Sequence, residues 1–465
     1  MFRRSASLLI LSLLAPFGAY AEATFPPPVD FKGRIQIASA EPGMPIFAGS
    51  TVTVSARGLQ AGQSLTLQRG PHVLTAAPII VDAEGAASFT FELPADASTG
   101  LHPLIAILDA PSMVELVDLK VSQQIDFLGE ADWQVRSIQP TKGLYQSAYS
   151  ATNDALFVAG ADYFTGSSEL LKIAPDTLEV IARVTPADFP ADQKVEKTGK
   201  SGTKLAPAGV YGLGLDEQAG RIWVTNTPDN TIAIYDQKDL SLIRQLPPGS
   251  VYHSRDVIVD AGSGHAFVSS SATSDVHVFD KETFEKKGVI TIKSAERGGD
   301  FYVMSLALDT AAGELYAVSR ISNELAIIDA KSLEVKRVIA LEGARNATGL
   351  DIDPATGRIF IAAQDSDNIL VVDRESGKVV QNVPVGAGAL NVYYDARSNL
   401  AWVASRGAGT LSAVDADGKL VAHLDGGSYA NHVTGDGKGR IFAVNKALNP
   451  QDPRGDFLRQ ISAAK

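Results

Sequence analysis

The sequence predicts an all-β protein: a seven-bladed β-propeller closed by an N-terminal strand and preceded by a small β-sandwich domain. Three observations predict it. First, a short run of alternating apolar residues ending in aspartate recurs, with Asp236, Asp280, Asp329, Asp373 and Asp415 spaced 44, 49, 44 and 42 residues apart. That period is close to the length of one four-stranded blade. Second, each copy carries an aromatic residue in its second predicted strand, at Phe157, Trp223, Phe267, Tyr316, Phe360, Trp402 and Phe442, which counts seven copies. Third, the last copy supplies only three strands, near 431–435, 440–445 and 456–461, while a lone strand at 132–138 precedes the first copy. Pairing the two would join the chain's ends and leave no open sheet edge around the ring.

Taken in order, residues 1–21 read as a signal peptide. Arg3 and Arg4 precede an apolar run, Leu8 to Leu14, and Ala19-Tyr20-Ala21 offers a small-residue cleavage site. The run is shorter than the ~20 residues a membrane-spanning helix needs. The expected destination is the periplasm, with secretion or the cell surface as the other routes for an exported chain, and no membrane insertion is expected after cleavage. Residues 22–33 form a Pro-rich leader around Pro26, Pro27 and Pro28, too stiff and extended to hold a core. Residues 34–122 alternate in short runs between Gly and Pro turns, as in Thr51-Val-Thr-Val-Ser, Ser64-Leu-Thr-Leu-Gln and Ser88-Phe-Thr-Phe-Glu, the pattern of a two-sheet sandwich. A linker is placed at 123–131, and the propeller at 132–465.

Within a blade, Arg255 to Asp260, His265 to Ser269, Val276 to Asp280 and Lys287 to Ile292 read as four strands from innermost to outermost. The repeated aspartates are predicted to be turn residues and not metal ligands, because a carboxylate recurring at one turn in most blades serves the turn. Asp415-Ala-Asp-Gly lacks the other ligands of a calcium loop. The chain carries no cysteine, which excludes disulfides, thiol nucleophiles and covalent c-type haem attachment. A net charge of −12 disfavours nonspecific adsorption to nucleic acid or anionic lipid, so any anion site must be local. Walker A, Gly-x-Ser-x-Gly, His-Glu-x-x-His and dinucleotide-binding signatures are absent. No catalytic residue, metal ligand or cofactor is predicted.

Trp223-Val-Thr-Asn followed by Asp229-Asn-Thr-Ile-Ala-Ile-Tyr-Asp resembles the YVTN repeat, and the copies over roughly 135–461 together with the export signal are similar to the YncE-like periplasmic propellers. Val81-Asp-Ala-Glu-Gly and Leu93-Pro-Ala-Asp-Ala-Ser-Thr-Gly resemble turns of bacterial immunoglobulin-like modules. The first resemblance implies a periplasmic binding protein, in some members linked to nucleic acid. The second implies a spacer or adhesion module.

On a propeller, ligands are expected at the channel mouth, on the face carrying the links between blades and the loops between second and third strands. Four positions past each strand aromatic lie Ala161, Thr227, Ser271, Arg320, Gln364, Arg406 and Lys446. Near the innermost strands on that face lie Tyr145, Tyr211, His253, Arg255, Tyr302, Arg345, Asn346, Asn391, Asn431 and His432. From these, the predicted ligand-binding set is His253, Arg255, Tyr302, Arg320, Arg345, Asn346, Gln364, Asn391, Arg406, Asn431, His432 and Lys446. Its cations would hold carboxylate or phosphate groups. The expected activity is non-enzymatic binding of an anionic small molecule or an extended polymer, including single-stranded nucleic acid. A lactonase-like hydrolase and an envelope scaffold that binds an outer-membrane or other envelope protein are the rival readings.

Overall fold

The computed structural model describes residues 30–109, 111–193 and 208–464. The expected signal peptide, most of the Pro-rich leader and a lysine-rich stretch at 194–207 lie outside them. The described chain is built of strands and a few single-turn 3-10 segments, and no helix among the described residues is long and apolar enough to cross a membrane. Two compact units are distinguished. One takes the described part of Met1–Gln36 with Ser55–Phe89 and Leu104–Val117, and the other takes Ile37–Val54, Thr90–Pro103 and the described part of Asp118–Lys465.

The N-terminal strands form a three-stranded sheet, ordered Arg34–Ser39, Thr51–Arg57, Ala87–Glu92, and a five-stranded sheet. The latter runs His72–Val73, Ser64–Arg69, Gly100–Leu108, Met113–Val121, with Ile79–Ile80 also on Ser64–Arg69. Alternation dictates their inner faces: Val52, Val54 and Ala56, Leu65 and Leu67, Leu104, Ala106 and Leu108 are all buried.

The rest of the described chain is a β-propeller of seven four-stranded antiparallel sheets. In chain order, their innermost strands are Leu144–Ser150, Leu213–Asp216, Ser254–Asp260, Val303–Asp309, Ala347–Asp353, Ala389–Asp395 and Ala430–Gly435. We number the sheets one to seven in that order. The second strands, Ala155–Ala161, Arg221–Asn226, His265–Ser270, Glu314–Ser319, Arg358–Ala363, Leu400–Ser405 and Ile441–Asn445, carry the seven aromatics, each no more than 1% exposed. Sheet seven takes its outermost strand from the other end of the chain: Trp133–Ile138 pairs antiparallel with Leu458–Ala463, from Trp133 opposite Ala463 to Ile138 opposite Leu458. The expected linker is not bare, because Leu128 and His423 exchange two backbone hydrogen bonds of 2.9 and 3.0 Å and tie it to the outer strand of sheet six.

Seven buried clusters, each shared by two neighbouring sheets, replace a central core. Phe157 packs between sheets one and two, Trp223 between two and three, and so on round to Phe442, which packs between seven and one. Each aromatic thus faces the next sheet, and the ring closes on itself. The repeated aspartates serve the turns between third and fourth strands. Oδ1 of Asp280 accepts from the Glu282 and Thr283 N–H groups, and Oδ1 of Asp329 from Lys331 and Ser332, at 2.8–3.1 Å. Those backbone donors hold both carboxyls down at about 2.

The innermost strand of each sheet has an open edge toward the channel, and side chains from the adjacent sheet satisfy it. Gln146 accepts from Leu213 N (2.9 Å), Asp256 from Leu306 N (3.0 Å), Asp351 from Tyr394 N (2.7 Å) and Asn391 from Val433 N (2.8 Å). Thr225 donates to the Arg255 carbonyl, Ser305 to Thr348 and Asn431 to Tyr145. With these, all seven sheet-to-sheet steps are stitched.

Desolvation pushes the Asp351 carboxyl up to about 6 against the lowering effect of its backbone donors. Between about 4 and 6 the folded chain therefore holds a proton that the unfolded chain has lost, and stability falls as pH rises through that window. Asp351→Asn, which still accepts from Tyr394 N, is expected to flatten this dependence in denaturant melts. Asp351→Ala orphans the N–H and is expected to cost about 1–3 kcal/mol.

Candidate anion-binding site

Three residue rings at the channel mouth follow from the strand register. The residue preceding each innermost strand takes a left-handed conformation in six sheets: Gly143, His253, Tyr302, Asn346, Gly388 and Tyr429, with φ between 45° and 75°. A Cβ at Gly143 would lie 2.3 Å from the Ala161 carbonyl oxygen, so that position admits only glycine. Four non-glycine residues pay the left-handed strain, and all four present a long polar or aromatic side chain. The carbonyls of His253, Tyr302, Asn346, Gly388 and Tyr429 receive the N–H groups of the second ring, Ser271, Arg320, Gln364, Arg406 and Lys446 in that order, at 2.8–3.3 Å. Two residues further along the innermost strands, a third ring contains Tyr145, Arg255 and Asn431, and Tyr211, just ahead of Leu213–Asp216, takes the corresponding place in sheet two.

From these rings one cluster assembles. Arg255 is 6% exposed, stacks over the Tyr145 ring at 5.1 Å, and leaves Nη1 buried without a hydrogen-bond partner among the described residues. The Lys446 ammonium sits 4.9 Å from the centre of the same tyrosine and 5.6 Å from that of Tyr163. Arg406 stacks over Tyr429 at 5.0 Å. Tyr211 packs edge-on against Tyr145 at 5.0 Å and beside Tyr163 at 6.2 Å. Gly143, Tyr145, Asp162, Tyr163, Phe164, Arg406, Tyr429, Lys446, Ala447 and Asp456 enclose a cavity of about 350 Å³.

Both acids of this cavity are already engaged. Asp162 accepts from Phe164 N, Thr165 N and Thr165 Oγ1 at 2.6–3.1 Å, and Asp456 accepts from Gly143 N at 2.9 Å and pairs with Lys142 at 3.5 Å. Desolvation, reinforced by Arg406 and Arg255, brings the Lys446 amine down to about 7, although Asp456 and Asp162 pull the other way. Burial raises the hydroxyls of Tyr163 and Tyr211.

The remaining predicted residues separate from this cluster. His253 contacts Ser271 Oγ through Nδ1 at 2.6 Å, and desolvation together with the Arg320 charge lowers its pKa. Tyr302 shares the mouth ring, and its carbonyl accepts from Arg320 N at 3.3 Å. Arg345 lines a separate cavity with Asp365, Ser366 and Asp367, while Asn346 donates to Asp365 at 3.2 Å and the Gln364 carbonyl accepts from Lys120 at 2.8 Å. Asn391 Oδ1 and Asn431 Nδ2 serve the inter-sheet stitches, Asn431 Oδ1 is buried without a hydrogen-bond partner among the described residues, and His432 Nδ1 accepts from Ser147 N at 3.4 Å. Desolvation and the Arg255 charge hold His432 at about 3, hence neutral. Sequence reasoning missed Tyr163 and Tyr429. Counting the register from His253 reaches Tyr429, whereas Tyr163 lies in a loop outside the repeat and carries no such signal.

The model of the glutamine cyclotransferase family matches residues 182–354. No curated protein matches the chain. Among solved structures, the chain is similar to U3-55K (TM-score 0.55, 10% identity, 72% of this chain and 99% of that one). It is similar also to a streptogramin B lyase (TM-score 0.54, 11% identity, 72% and 99%). A third is a catalytically inactive virginiamycin B lyase from Staphylococcus aureus with quinupristin (TM-score 0.53, 10% identity, 71% and 99%). Identities this low carry the fold alone.

The electrostatics of the cavity yield a direct expectation. Arg406→Gln removes a like charge, so the Lys446 amine should titrate higher, toward the ordinary lysine value. The pH dependence of Lys446 arylation, followed by peptide mass spectrometry, should shift upward in the variant; an unchanged midpoint would contradict the arrangement described. The sign for stability follows too: the unfolded chain binds the extra proton between about 7 and 10.5, so wild type should gain stability over Lys446→Met as pH rises through that window.

Together the seven stacked sheets and these neighbours make the chain a β-propeller protein.

Proposed function

We propose that this protein is a periplasmic, YncE-like seven-bladed propeller with an immunoglobulin-like module, which binds an anionic small molecule at its channel mouth. The single observation that carries this reading is Arg255, a buried guanidinium with an unpartnered Nη1 and no carboxylate in ion-pair contact among the described residues. The Asp256 carboxyl and the Tyr145 ring compensate this charge in part, and a bound carboxylate or phosphate at Nη1 would supply the missing hydrogen bond. Tyr145, on which Arg255 stacks, also walls a cavity that holds the Arg406 guanidinium and the Lys446 amine. A volume of about 350 Å³ suits a small molecule, at the lower end of small-ligand sites.

A second reading, acyl transfer or hydrolysis, is favoured by the His253–Ser271 contact of 2.6 Å, since both residues fall inside the segment similar to glutamine cyclotransferases. On that reading Ser271 is the nucleophile and His253 its base.

Calorimetric titration with citrate, and with a single-stranded oligonucleotide as the polymer probe, tests the first reading. Citrate should bind, and rising salt should weaken it. Arg406→Gln combined with Lys446→Gln should weaken binding by at least about 2 kcal/mol, because each lost charge-assisted hydrogen bond contributes about 1.5–3 kcal/mol. Unchanged affinity in a variant with native circular dichroism would overturn it. Labelling of Ser271 by a fluorophosphonate, together with no anion binding, would favour the second reading instead.

A further inference from the structure

We infer that Lys446 captures a carbonyl compound as an imine, the cavity taking an aromatic 2-oxo acid with its carboxylate on Arg406 and its carbonyl carbon at the Lys446 amine. This rests on the anion-binding reading above and names the ligand class for the same site. Among the described residues Lys446 has no carboxylate in ion-pair contact, which is unusual for a lysine so enclosed, since the two nearest acids are held by Gly143, Lys142, Phe164 and Thr165. The amine is instead packed on the faces of Tyr145 and Tyr163, with guanidinium groups at Arg406 and Arg255 facing it. Such a site attracts an ammonium ion through its tyrosine faces but opposes it more strongly through burial and the neighbouring guanidinium charges. It favours the neutral amine, whose lone pair is the nucleophile, and the lowered pKa of Lys446 accords with this.

The ligand's other features follow from the walls. Tyr145, Tyr163, Phe164 and Tyr429 offer aromatic surface for a ring, and Arg406 offers a fork for a carboxylate. The chemistry balances without any redox partner. The amine nitrogen adds to the carbonyl carbon, the carbonyl electron pair moves to oxygen, and a proton shifts from nitrogen to that oxygen to give a carbinolamine. Loss of one water, taking the hydroxyl and the remaining N–H proton, leaves the imine.

Phenylpyruvate with sodium cyanoborohydride tests this on the full chain, read by intact mass and peptide mapping. Phenyllactate, which has the same carboxylate and ring but no carbonyl, is titrated in parallel. The expected result is a single reduced adduct at Lys446, with phenyllactate binding but forming none. Arg406→Gln should lower trapping of both carbonyls through the raised Lys446 pKa, and should lower trapping of phenylpyruvate by about tenfold more than that of the neutral phenylacetaldehyde, the loss of one charge-assisted contact. Lys446→Met should abolish the adduct; should that variant fail to fold, the mapped position of the adduct in wild type decides. Adducts spread over surface lysines would overturn the inference. Phenyllactate binding with no adduct from phenylpyruvate would overturn the imine and leave anion binding standing, whereas failure of both ligands to bind would overturn both.

Discussion

Every sheet of this ring presents its innermost strand to the channel with one edge unpaired, and seven such edges must be satisfied without another strand. The solution is a side chain from the adjacent sheet. Gln146, Asp256, Asp351 and Asn391 accept backbone N–H groups, and Thr225, Ser305 and Asn431 donate to carbonyls, so each step around the ring is bonded at its inner rim as well as packed by an aromatic further out. An orphaned buried N–H costs about 1–3 kcal/mol, which makes these polar residues structural despite their place beside the channel. The consequence for function is spatial. Only positions outside the stitches are free to meet a ligand.

Those free positions are not used evenly. Tyr145, Tyr211 and Arg255 occupy the same register in sheets one, two and three, and Arg406 and Lys446 come from sheets six and seven. The cationic cluster is therefore confined to the surroundings of Tyr145, on which Arg255 and Lys446 both stack. On a chain carrying 53 acidic against 41 basic side chains, that confinement creates a local attraction for anions that net charge alone would oppose. At sheet five the acids are engaged locally, with Asn346 donating to Asp365 and Lys120 pairing with Asp367 at 2.5 Å.

Much of the fold was legible because repetition exposes register. Aromatics from Phe157 to Phe442 mark the second strands, the aspartates mark the turns, and the missing fourth strand of the last repeat pointed to Trp133–Ile138. The site was legible only in part, for a physical reason: the residue types that hold ligands also satisfy backbone. Asn391, Asn431 and His432 look like ligands in the sequence, yet their polar atoms meet Val433, Tyr145 and Ser147. Conversely, Arg255, Arg406 and Lys446 were found by register alone, because the second and third rings lie at fixed offsets from the aromatics. What register does not encode is which acids are already engaged. The local bonds of Asp162 and Asp456, which leave Lys446 without an ion pair, appear only once the loops are placed.

The central claim, that Arg255, Arg406 and Lys446 form a site short of one anion, is tested most directly by soaking crystals of the protein in selenate and locating selenium by anomalous diffraction. The account predicts a peak within hydrogen-bonding distance of Arg406 and Lys446, in the cavity lined by Tyr145 and Tyr163. Selenate filling only surface lysine sites, with the cavity between Arg406 and Lys446 empty at full soak, would contradict it.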